Sequence, residues 1–452
     1  MDIKQMTDTY MSNRANKRRS LDAAHFELHW ERDVVRLLAD FNDRSLVPFL
    51  YAFINPKPRD REVIAGLMQM KILQEYFDRL VRPLVEQRLT PCTFNNRIGY
   101  GSDKALAKVR DDIRKVSRNY TRDCYIIQRD IQAFFPSTEL ERSYNRYRDL
   151  IYECFAAGEQ RDDLLYILQR VVYAYPQQHA VLRSPLPRWD EVRERGKSVV
   201  FNHDLSRGAC LGNQFWQVEK NFDLAEFDQR QTEMGMHYTR YVDDMVWIVE
   251  NLAAGLAYVA QCEMELADEF GYTMHKRKRY NQHYSKGLKF LSAPIKYDRI
   301  YASSRSIRNA HKSVHRWNGR HASQALLGHF LNSVNSYLGI FKNRTAYGQI
   351  RDLADAVSKR WLDYCHYDDD RKCFVANEGF SHNEILIRKY HFKIRKYDKR
   401  RNRKAQKCAR VSQIGERGAV GIQGLCRKQN CGRPRDTRGI RRSHCAENAV
   451  GG

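Results

Sequence analysis

Residues 237–249 read His-Tyr-Thr-Arg-Tyr-Val-Asp-Asp-Met-Val-Trp-Ile-Val, and this stretch decides the fold. The runs His237–Val242 and Met245–Val249 are rich in aromatic and β-branched residues, and they flank the dipeptide Asp243-Asp244. Two such runs separated by two turn-forming residues are typical of a β-hairpin. We therefore predict a hairpin that carries two adjacent carboxylates at its tip.

Adjacent carboxylates repel each other and contribute little to packing, so their place on an apolar hairpin needs a reason. Mg²⁺ supplies one, because proteins usually hold this ion with one or two carboxylates together with substrate phosphates. The alternative is that Asp243-Asp244 is only a favourable turn dipeptide. The flanking residues Tyr241 and Val242 favour the metal site.

A second acidic position lies 113 residues earlier in the chain, since 243 − 130 = 113. The β-type run Cys124–Gln128 leads into Asp130, and Ile131, Phe134 and Phe135 follow. Neighbouring side chains in an extended segment point to opposite faces, so one phenylalanine is expected in the core and the other at the site. Two metal ions held by such acids activate a hydroxyl and stabilise a leaving pyrophosphate.

The composition bounds the class of protein. The chain has 452 residues, of which 42% are apolar and 12% aromatic, enough for a sizeable core and too many for a wholly disordered chain. The longest strictly apolar run, Phe49–Ile54, is far shorter than the ~18 residues of a membrane-spanning helix, and we find no secretory signal. The 11 scattered cysteines favour a reduced, cytoplasmic protein.

The charge is unevenly distributed. The chain carries 78 Lys and Arg against 54 Asp and Glu, a net charge of +24. Residues 388–452 hold 20 Lys and Arg and 4 Asp and Glu, so this tail carries +16 and the remaining 387 residues carry +8. Such a charge favours RNA or DNA as a partner. The alternative for the tail is a solvated segment without a partner; its cysteines lack a Cys-x₂-Cys pair, which argues against zinc.

Hydrophobic periodicity divides the chain into five regions and predicts an α+β fold. The regions are a basic N-terminal arm with little to bury (1–20), a mainly helical region (21–123), a β-rich region (124–302) with an insertion at about 157–204, a helical region (303–400) and a basic tail of low order (401–452). We also predict a single helix over Asn213–Arg230 and a loop over Pro176–Gly208.

Six boxes in this sequence resemble, in order, those of reverse transcriptases. Tyr241–Asp244 is similar to the family's catalytic box between two hydrophobic strands, and Asp130–Ser137 to its first catalytic box, in which Asp-Ile precedes Phe-Phe and Ser. The other four are the fingers motif Arg97–Ser102, the template-and-nucleotide box Gly208–Asn213, the lysine-bearing segment Gly271–Lys278 and the primer grip Lys286–Leu291. The resemblance covers residues 60–365.

Within that family the chain looks most like the reverse transcriptases of diversity-generating retroelements. Three passages carry this resemblance: Gly212-Asn213 in the template box, the segment Lys286–Asn309, and Val334–Gly339, which is similar to a thumb motif. Four positions depart from the subfamily, because Ala209-Cys210-Leu211 replaces Leu-Pro-Ile and Trp216 replaces Ser. A related retron or antiphage defence group therefore stays open as an alternative.

The resemblance implies a right-hand polymerase with a β-sheet palm (124–302), mostly helical fingers (21–123) and a helical thumb (303–400). It implies two Mg²⁺ ions, with Mn²⁺ as a possible substitute. The metal ligands that it implies are Asp130, Asp243, Asp244 and the main-chain carbonyl of Ile131. The metals would lower the pKa of a primer 3′-hydroxyl and neutralise charge on the triphosphate.

Other site residues follow from the resemblance alone. Lys278 is expected to protonate the leaving pyrophosphate, although the run Lys276–Arg279 leaves the choice of lysine open. Arg97 is expected to reach the incoming nucleotide with its guanidinium fork, and Phe135 to exclude a ribose 2′-hydroxyl as a steric gate. The alternatives are a solvated basic run, a surface arginine and a core phenylalanine.

The template box implies contact with the nascent base pair through Leu211, Gly212 and Asn213. Leu211 offers no hydrogen bond to that pair, so copying of template adenines is expected to be error-prone; the alternative is a leucine that merely packs. Contacts with template or primer are expected from the following residues: Gly99, Gly101, Tyr241, Phe290 and Leu291.

The expected function is RNA-directed DNA synthesis, in which a template RNA is copied into cDNA for mutagenic retrohoming. The implied partners are the template RNA, a cDNA or primer strand, dNTPs and a small basic helical accessory protein, with no membrane. The alternatives are DNA synthesis in a retron or antiphage defence system and a non-catalytic RNA-binding module. The three intact acids argue against the last of these.

Overall fold

The structure, a computed structural model, describes residues 1–15, 21–56, 60–196 and 198–380. The predictions for the tail (401–452) and for the last twenty residues of the fourth region lie outside these residues. Within the described part of the chain, every helix is too short or too polar to cross a lipid bilayer.

Sixteen helices are present in the described residues. They are α1 (Ile3–Arg14), α2 (Leu21–Glu27), α3 (Trp30–Asn42), α4 (Met68–Arg88), α5 (Ser102–Val116), α6 (Leu140–Cys154), α7 (Glu159–Val172), α8 (Pro176–His179), α9 (Leu186–Glu194), α10 (Gln214–Asp223), α11 (Ala225–Glu233), α12 (Leu252–Asp268), α13 (Ser304–Asn318), α14 (Gln324–Lys342), α15 (Tyr347–Asp355) and α16 (Lys359–Leu362).

Twelve strands accompany them in the same residues. They are β1 (Leu50–Asn55), β2 (Arg61–Gly66), β3 (Tyr125–Asp130), β4 (Ala180–Leu182), β5 (His237–Tyr241), β6 (Asp244–Val249), β7 (Tyr280–His283), β8 (Leu288–Phe290), β9 (Ala293–Lys296), β10 (Arg299–Ile300), β11 (Cys365–Asp368) and β12 (Cys373–Ala376). They form four sheets, in the orders β2-β1-β4, β5-β6-β3-β7, β10-β9-β8 and β11-β12. The predicted α+β class is what the structure shows.

The four-stranded sheet β5-β6-β3-β7, called the central sheet here, is antiparallel throughout. Side chains alternate between its faces, as the period of a strand requires. Ile127 and Trp247 pack on one face, which α12 covers, whereas Ile126 and Ile248 pack on the other face with α5. A shift of one residue would move every side chain of a strand to the opposite face of the sheet. The apolar pattern therefore fixes the register of these strands.

The region 21–123 contains strands that we did not predict. Residues 50–66 form the hairpin β1–β2, and β4 adds to it in parallel. The burial of β1 alternates along the strand, which identifies a half-buried strand. In this region, predicted as mainly helical, helix α4 begins only after β2, at Met68.

The loop predicted over Pro176–Gly208 is wrong where α8, β4 and α9 form, so the insertion at 157–204 is largely regular. It contains α7, α8, β4 and α9, and its apolar side chains, among them Leu168 and Trp189, share a core with helices α3 and α4. The insertion thus packs against the N-terminal layer of the fold. The segment predicted as one helix over Asn213–Arg230 is divided at Leu224 into α10 and α11.

The N-terminal segment also differs from its prediction, because it does bury side chains. Met6 and Tyr10, four positions apart in α1, lie on one helix face and are fully buried against the same core. Asp2 caps this helix through the main-chain N–H of Gln5, at 2.7 Å.

The C-terminal helices have a core of their own. Phe330 of α14 stacks on Trp361 with ring centroids 4.4 Å apart, and Trp317 of α13 meets Trp361 edge-on. The helical prediction holds up to Leu362, after which β11 and β12 form a hairpin that packs on the same core through Phe374.

Candidate active site

The acidic hairpin forms as the sequence predicts, with its turn one residue earlier. Val242 and Asp243 make the turn, and Asp244 is the first residue of β6. Strand β6 lies between β5 and β3. Asp244 is paired with Tyr241 on β5 and with Asp130, the last residue of β3. Directly opposed residues of antiparallel strands present their side chains on one face at short range, so the register brings Asp130 and Asp244 together.

Main-chain hydrogen bonds join three segments at this point. The N–H of Ile131 donates to the carbonyl oxygen of Asp243 at 3.1 Å, and the N–H of His275 donates to the carbonyl oxygen of Asp130 at 2.7 Å. Lys278, three residues further on, forms an ion pair with the Asp130 carboxylate. The structure therefore brings together Asp130, Ile131, Asp243, Asp244 and Lys278.

The carboxylates at the turn lie in an electrostatically unfavourable place. Burial, followed by the charge of Asp130, raises the pKa of Asp243 to about 6. Burial raises the pKa of Asp244 to about 7, with further contributions from the charges of Asp243 and Asp130. Lys278 opposes both shifts but does not cancel them. Uncompensated negative charge of this kind is what a bound cation would relieve.

A cavity of about 260 Å³ opens beside these carboxylates. It is lined by Gln128, Asp130, Asp244, Arg277, Lys278, Arg279 and Tyr280. Two carboxylates and three cationic side chains in one cavity match the charges of a metal-bound polyphosphate, because the acids suit the metal and the cations suit the phosphates.

The described residues contain no group of three or more His, Cys, Asp or Glu side chains arranged as a complete metal site. The Asp130 carboxylate is instead engaged by Lys278, whose side chain is half exposed. A metal ion at this place would have to draw Asp130 away from the lysine.

Phe134 and Phe135 face different surroundings, as predicted, but they lie in a turn and not in the extended segment on which that prediction rested. Phe134 is buried and meets Tyr272 edge-on with ring centroids 4.9 Å apart, in the core beneath the hairpin. Phe135 is half buried against the core that the insertion shares with α3 and α4. Its carbonyl accepts a hydrogen bond from the N–H of Ala209 at 2.9 Å. Phe135 is thus next to the template box, while its role as a steric gate stays a prediction.

The template box is held against strand β2. The carbonyl of Leu211 accepts from the N–H of Ile64 at 2.7 Å, and the Leu211 side chain is half buried. Gly212 has a φ of +112°, and a Cβ there would lie 2.6 Å from a methyl group of Val63, so only glycine fits. Asn213 caps α10, because its side chain accepts from the N–H of Phe215 at 3.1 Å.

Arg97 does not line the cavity, and its contact with the incoming nucleotide stays a prediction. Its guanidinium is 6% exposed and pairs with Glu86 at 2.8 Å. It also donates to the carbonyls of Leu89, at 3.4 Å, and Thr93, at 3.0 Å. These carbonyls lie at and just beyond the C-terminal end of α4, where main-chain acceptors lack helical partners and attract a cation. A nucleotide contact would require Arg97 to leave these partners.

The residues assigned to template and primer are placed unequally. Gly99 and Gly101 have positive φ values, and Ile98 between Arg97 and Gly99 is 84% exposed, so this loop is open to a ligand. Leu291 lies half buried at the turn between β8 and β9, and Tyr241 is half buried at the end of β5. Phe290 is completely buried in the core under the central sheet. Its side chain has no surface to offer a primer, which corrects that prediction.

Sequence reasoning missed two buried ionic groups behind the site. Arg240 and Asp228 are both fully buried and paired with each other. Lys220, also fully buried, pairs with Asp223 at 3.0 Å and donates to the hydroxyl of Tyr272 at 2.6 Å. Only Arg240 left a signal, because it is a charged residue within a strand-forming run; Lys220 and Asp223 look like ordinary helix-surface residues.

No protein-family model matches this chain, and no curated protein matches it. Similar solved structures include telomerase from Candida albicans in complex with a fragment of telomeric RNA, at 9% identity and a TM-score of 0.39, covering 70% of this chain and 61% of that one. Another is apo telomerase from Candida tropicalis, at 10% identity and a TM-score of 0.41, covering 70% of this chain and 63% of that one.

This chain therefore spans less than two thirds of the length of these telomerase chains. Similarity of this size establishes neither a family nor an activity, so the assignment of a function depends on the geometry of the acidic site.

Proposed function

We propose that this protein is an RNA-directed DNA polymerase whose catalytic acids are Asp130, Asp243 and Asp244. The observation that carries this proposal is the register of the central sheet, which opposes Asp130 to Asp244 beside the Asp243 turn. Residues 113 positions apart in sequence form one acidic site next to a cavity with three basic side chains. A turn that served folding alone would not need a third carboxylate beside it, because the like charges of the three acids repel one another.

The acids suit Mg²⁺, with Mn²⁺ as a substitute. Burial, followed by the charge of neighbouring carboxylates, raises the pKa values of Asp243 and Asp244. Oxygen donors are the ligands that these hard cations prefer. Asp130, Asp243, Asp244 and the main-chain carbonyl of Ile131 would hold two ions. When bound, these ions supply activation of a primer 3′-hydroxyl and neutralisation of the triphosphate.

Lys278 has a place in the same scheme. In the structure its ammonium neutralises Asp130. A cation bound by Asp130 would release this lysine towards the phosphates in the cavity that it lines, where it can donate a proton to the leaving pyrophosphate.

A basic surface supports nucleic acid as the partner. Between Arg299 and Arg351 the sequence contains no Asp or Glu. Five cationic side chains lie three or four residues apart, on the exposed face of α13 and just beyond its end. None of them pairs with a described carboxylate. We call them the basic stripe, which consists of Arg305, Arg308, Lys312, Arg316 and Arg320. Unpaired cations in a row suit a phosphate backbone.

The regions fit the parts of a right-hand polymerase. In this proposal residues 124–302 form the palm, residues 21–123 the fingers and the helices from residue 303 the thumb. The insertion at 157–204, which packs on the N-terminal layer, enlarges the fingers side.

The finer proposal is mutagenic retrohoming in a diversity-generating retroelement. Leu211 beside the nascent pair would permit errors opposite template adenines, since an aliphatic side chain holds no base by hydrogen bonds. The partners are then a template RNA, a cDNA or primer strand, dNTPs and a small basic accessory protein. The alternative role is DNA synthesis for a retron or antiphage defence system.

The test is cDNA synthesis by the full chain on a candidate template RNA with dNTPs and Mg²⁺, followed by sequencing of the product. Incorporation that requires Mg²⁺ and template supports the polymerase, and errors concentrated at template adenines support retrohoming. Accurate cDNA would favour the defence role, while tight RNA binding without incorporation would overturn the polymerase.

A further inference from the structure

The hairpin turn at the acidic site contains a strained residue. Val242 has a φ of +59°, in the left-handed region that β-branched residues avoid because of clashes at Cβ. Its neighbour Asp243 continues the turn, and Asp244 starts β6. A valine holds this conformation only where its surroundings enforce it.

Both polar main-chain groups of Val242 are held by buried side chains. Its N–H donates to the side-chain oxygen Oδ1 of Asn95 at 3.0 Å. Its carbonyl accepts from Nη1 of Arg240 at 3.2 Å. Asn95 is 1% exposed and Arg240 is fully buried, so both side-chain partners lie inside the protein.

Arg240 is itself fixed in place. Its Nε donates to Asp228 at 2.9 Å, and further donors reach the carbonyls of Lys220 and Asn221, both at 3.3 Å. Asp228 also accepts from the hydroxyl of Thr93 at 2.7 Å. A planar guanidinium with so many partners has one orientation, which makes it a rigid support for the turn.

Asn95 is fixed through its backbone. The segment that precedes it lies along β5, since the N–H of Arg240 donates to the carbonyl of Cys92 at 2.9 Å and the N–H of Phe94 to that of Arg240 at 3.2 Å. The side chain of Asn221 donates to the Asn95 carbonyl at 2.7 Å. The support therefore reaches the turn from two directions.

We propose that Asn95 and Arg240 are positioning residues, a clamp that keeps Val242 in its left-handed conformation and so aims Asp243 and Asp244 at Asp130. Neither side chain lines the cavity; both act through the main chain of the turn. The catalytic consequence rests on the proposed function, whereas the clamp on the turn is a property of the fold that can be measured without metal or substrate.

Hydrogen–deuterium exchange of the metal-free full chain tests the clamp directly. In Asn95→Ala the amide of Val242 loses its acceptor, and we expect exchange in a peptide over residues 241–245 to rise about tenfold. The matched control is Asn13→Ala, which removes another buried asparagine, one that donates to the carbonyl of Lys71 at 2.8 Å in the contact between α1 and α4. This control is expected to leave exchange at the turn unchanged.

A second measurement asks whether the clamp aims the acids. Mn²⁺ affinity, followed by the spectrum of the free ion, is expected to fall about tenfold in Asn95→Ala, as for other residues that orient metal ligands. Glycine adopts a φ of +59° without strain, so the double variant Asn95→Ala/Val242→Gly is expected to regain most of this affinity. In primer extension, kcat should fall more than the KM for dNTP changes.

The outcomes separate the clamp from the proposed function. Unchanged exchange at the turn in Asn95→Ala, or a rise equal to that of Asn13→Ala, would overturn the clamp whether or not the protein polymerises. A loss of Mn²⁺ affinity that Val242→Gly does not restore would also count against it. Failure of the wild-type chain to bind Mn²⁺ or to extend a primer would overturn the proposed function, and exchange would still decide the clamp.

Discussion

Asp130 and Asp244 face each other across strands β3 and β6, where one strand ends and the other begins. Because the strands are antiparallel and their apolar side chains fix the register, this opposition is a consequence of the packing of the whole sheet. Asp243, held in the turn, and Lys278, paired with Asp130, complete the site. Each of these four side chains leads to an expectation that can be measured.

The stability of the metal-free protein should decrease as the pH rises through the pKa values of the site. Asp243 and Asp244 have pKa values raised to about 6 and about 7, so the folded state binds more protons than the unfolded state between pH 4 and pH 7. Stability then falls with increasing pH in this window. The melting temperature of Asp244→Asn should exceed that of the wild type at pH 8 by roughly 3 °C and match it near pH 4.

The control for this experiment is Asp149→Asn, at a carboxylate that is 66% exposed. It should follow the pH profile of the wild type. A wild type and an Asp244→Asn variant with parallel pH profiles would show that the acids are not held in an unfavourable environment.

Removal of the Lys278 ammonium should strengthen metal binding while it weakens catalysis. In Lys278→Met the Asp130 carboxylate loses its competing cation, so we expect Mn²⁺ affinity to rise roughly two- to fivefold, a modest gain because the lysine is half exposed. Primer extension should slow, because the leaving pyrophosphate loses its proton donor. Calorimetry without nucleotide measures the first effect and single-turnover extension the second.

Lys276→Met is the matched control, since its side chain is exposed in the same basic run but does not line the cavity. Equal effects of the two substitutions would indicate that only the general charge of the run matters.

Replacement of Leu211 by glutamine should make copying more accurate. A glutamine amide can hydrogen-bond to the nascent pair, which the half-buried leucine cannot do, so errors opposite template adenines should fall by about an order of magnitude. Sequencing of cDNA measures the error at each template base. Leu205→Gln, at an exposed leucine before the box, should leave the error pattern unchanged. Adenine errors that persist in Leu211→Gln would remove this residue from the explanation of fidelity.

Neutralisation of the basic stripe should weaken the binding of nucleic acid in a salt-dependent manner. In Arg305→Gln/Arg308→Gln/Lys312→Gln/Arg316→Gln, each lost phosphate contact should lower the slope of log K against log [salt] by about 0.7 to 0.9. The control removes the same charge from arginines that pair with carboxylates elsewhere: Arg36, Arg148, Arg193 and Arg195. If both quadruple variants bind an RNA–DNA duplex equally, the stripe is not the nucleic-acid surface.

The sequence predicted the strand ends that carry the acids, because each of them follows from local residues, whereas their convergence depends on the register of the whole sheet. A run of apolar residues that ends in an acid, and a hairpin with acids at its tip, give strands whose ends meet when the sheet forms. These features depend on neighbours in sequence, which a single chain displays.

The rest depends on contacts between distant segments. Arg97 is an exception, because its partners Glu86, Leu89 and Thr93 lie only 4 to 11 positions earlier in the chain, at and just beyond the end of α4. Val242 has a conformation that its β-branched side chain disfavours, enforced by Asn95, which lies 147 positions away. The packing of the insertion on the N-terminal layer has the same origin, since β4 finds its partner β1 across more than a hundred residues.

Incorporation of labelled dNTP on an RNA template with an annealed primer tests the central claim most directly, with wild type and Asp243→Asn compared at equal folding and over a titration of Mg²⁺. We predict template-dependent incorporation by the wild type that requires Mg²⁺, and none by Asp243→Asn, although this variant still binds the RNA–primer duplex. Incorporation by Asp243→Asn at the rate of the wild type would contradict the assignment of these acids as the catalytic centre.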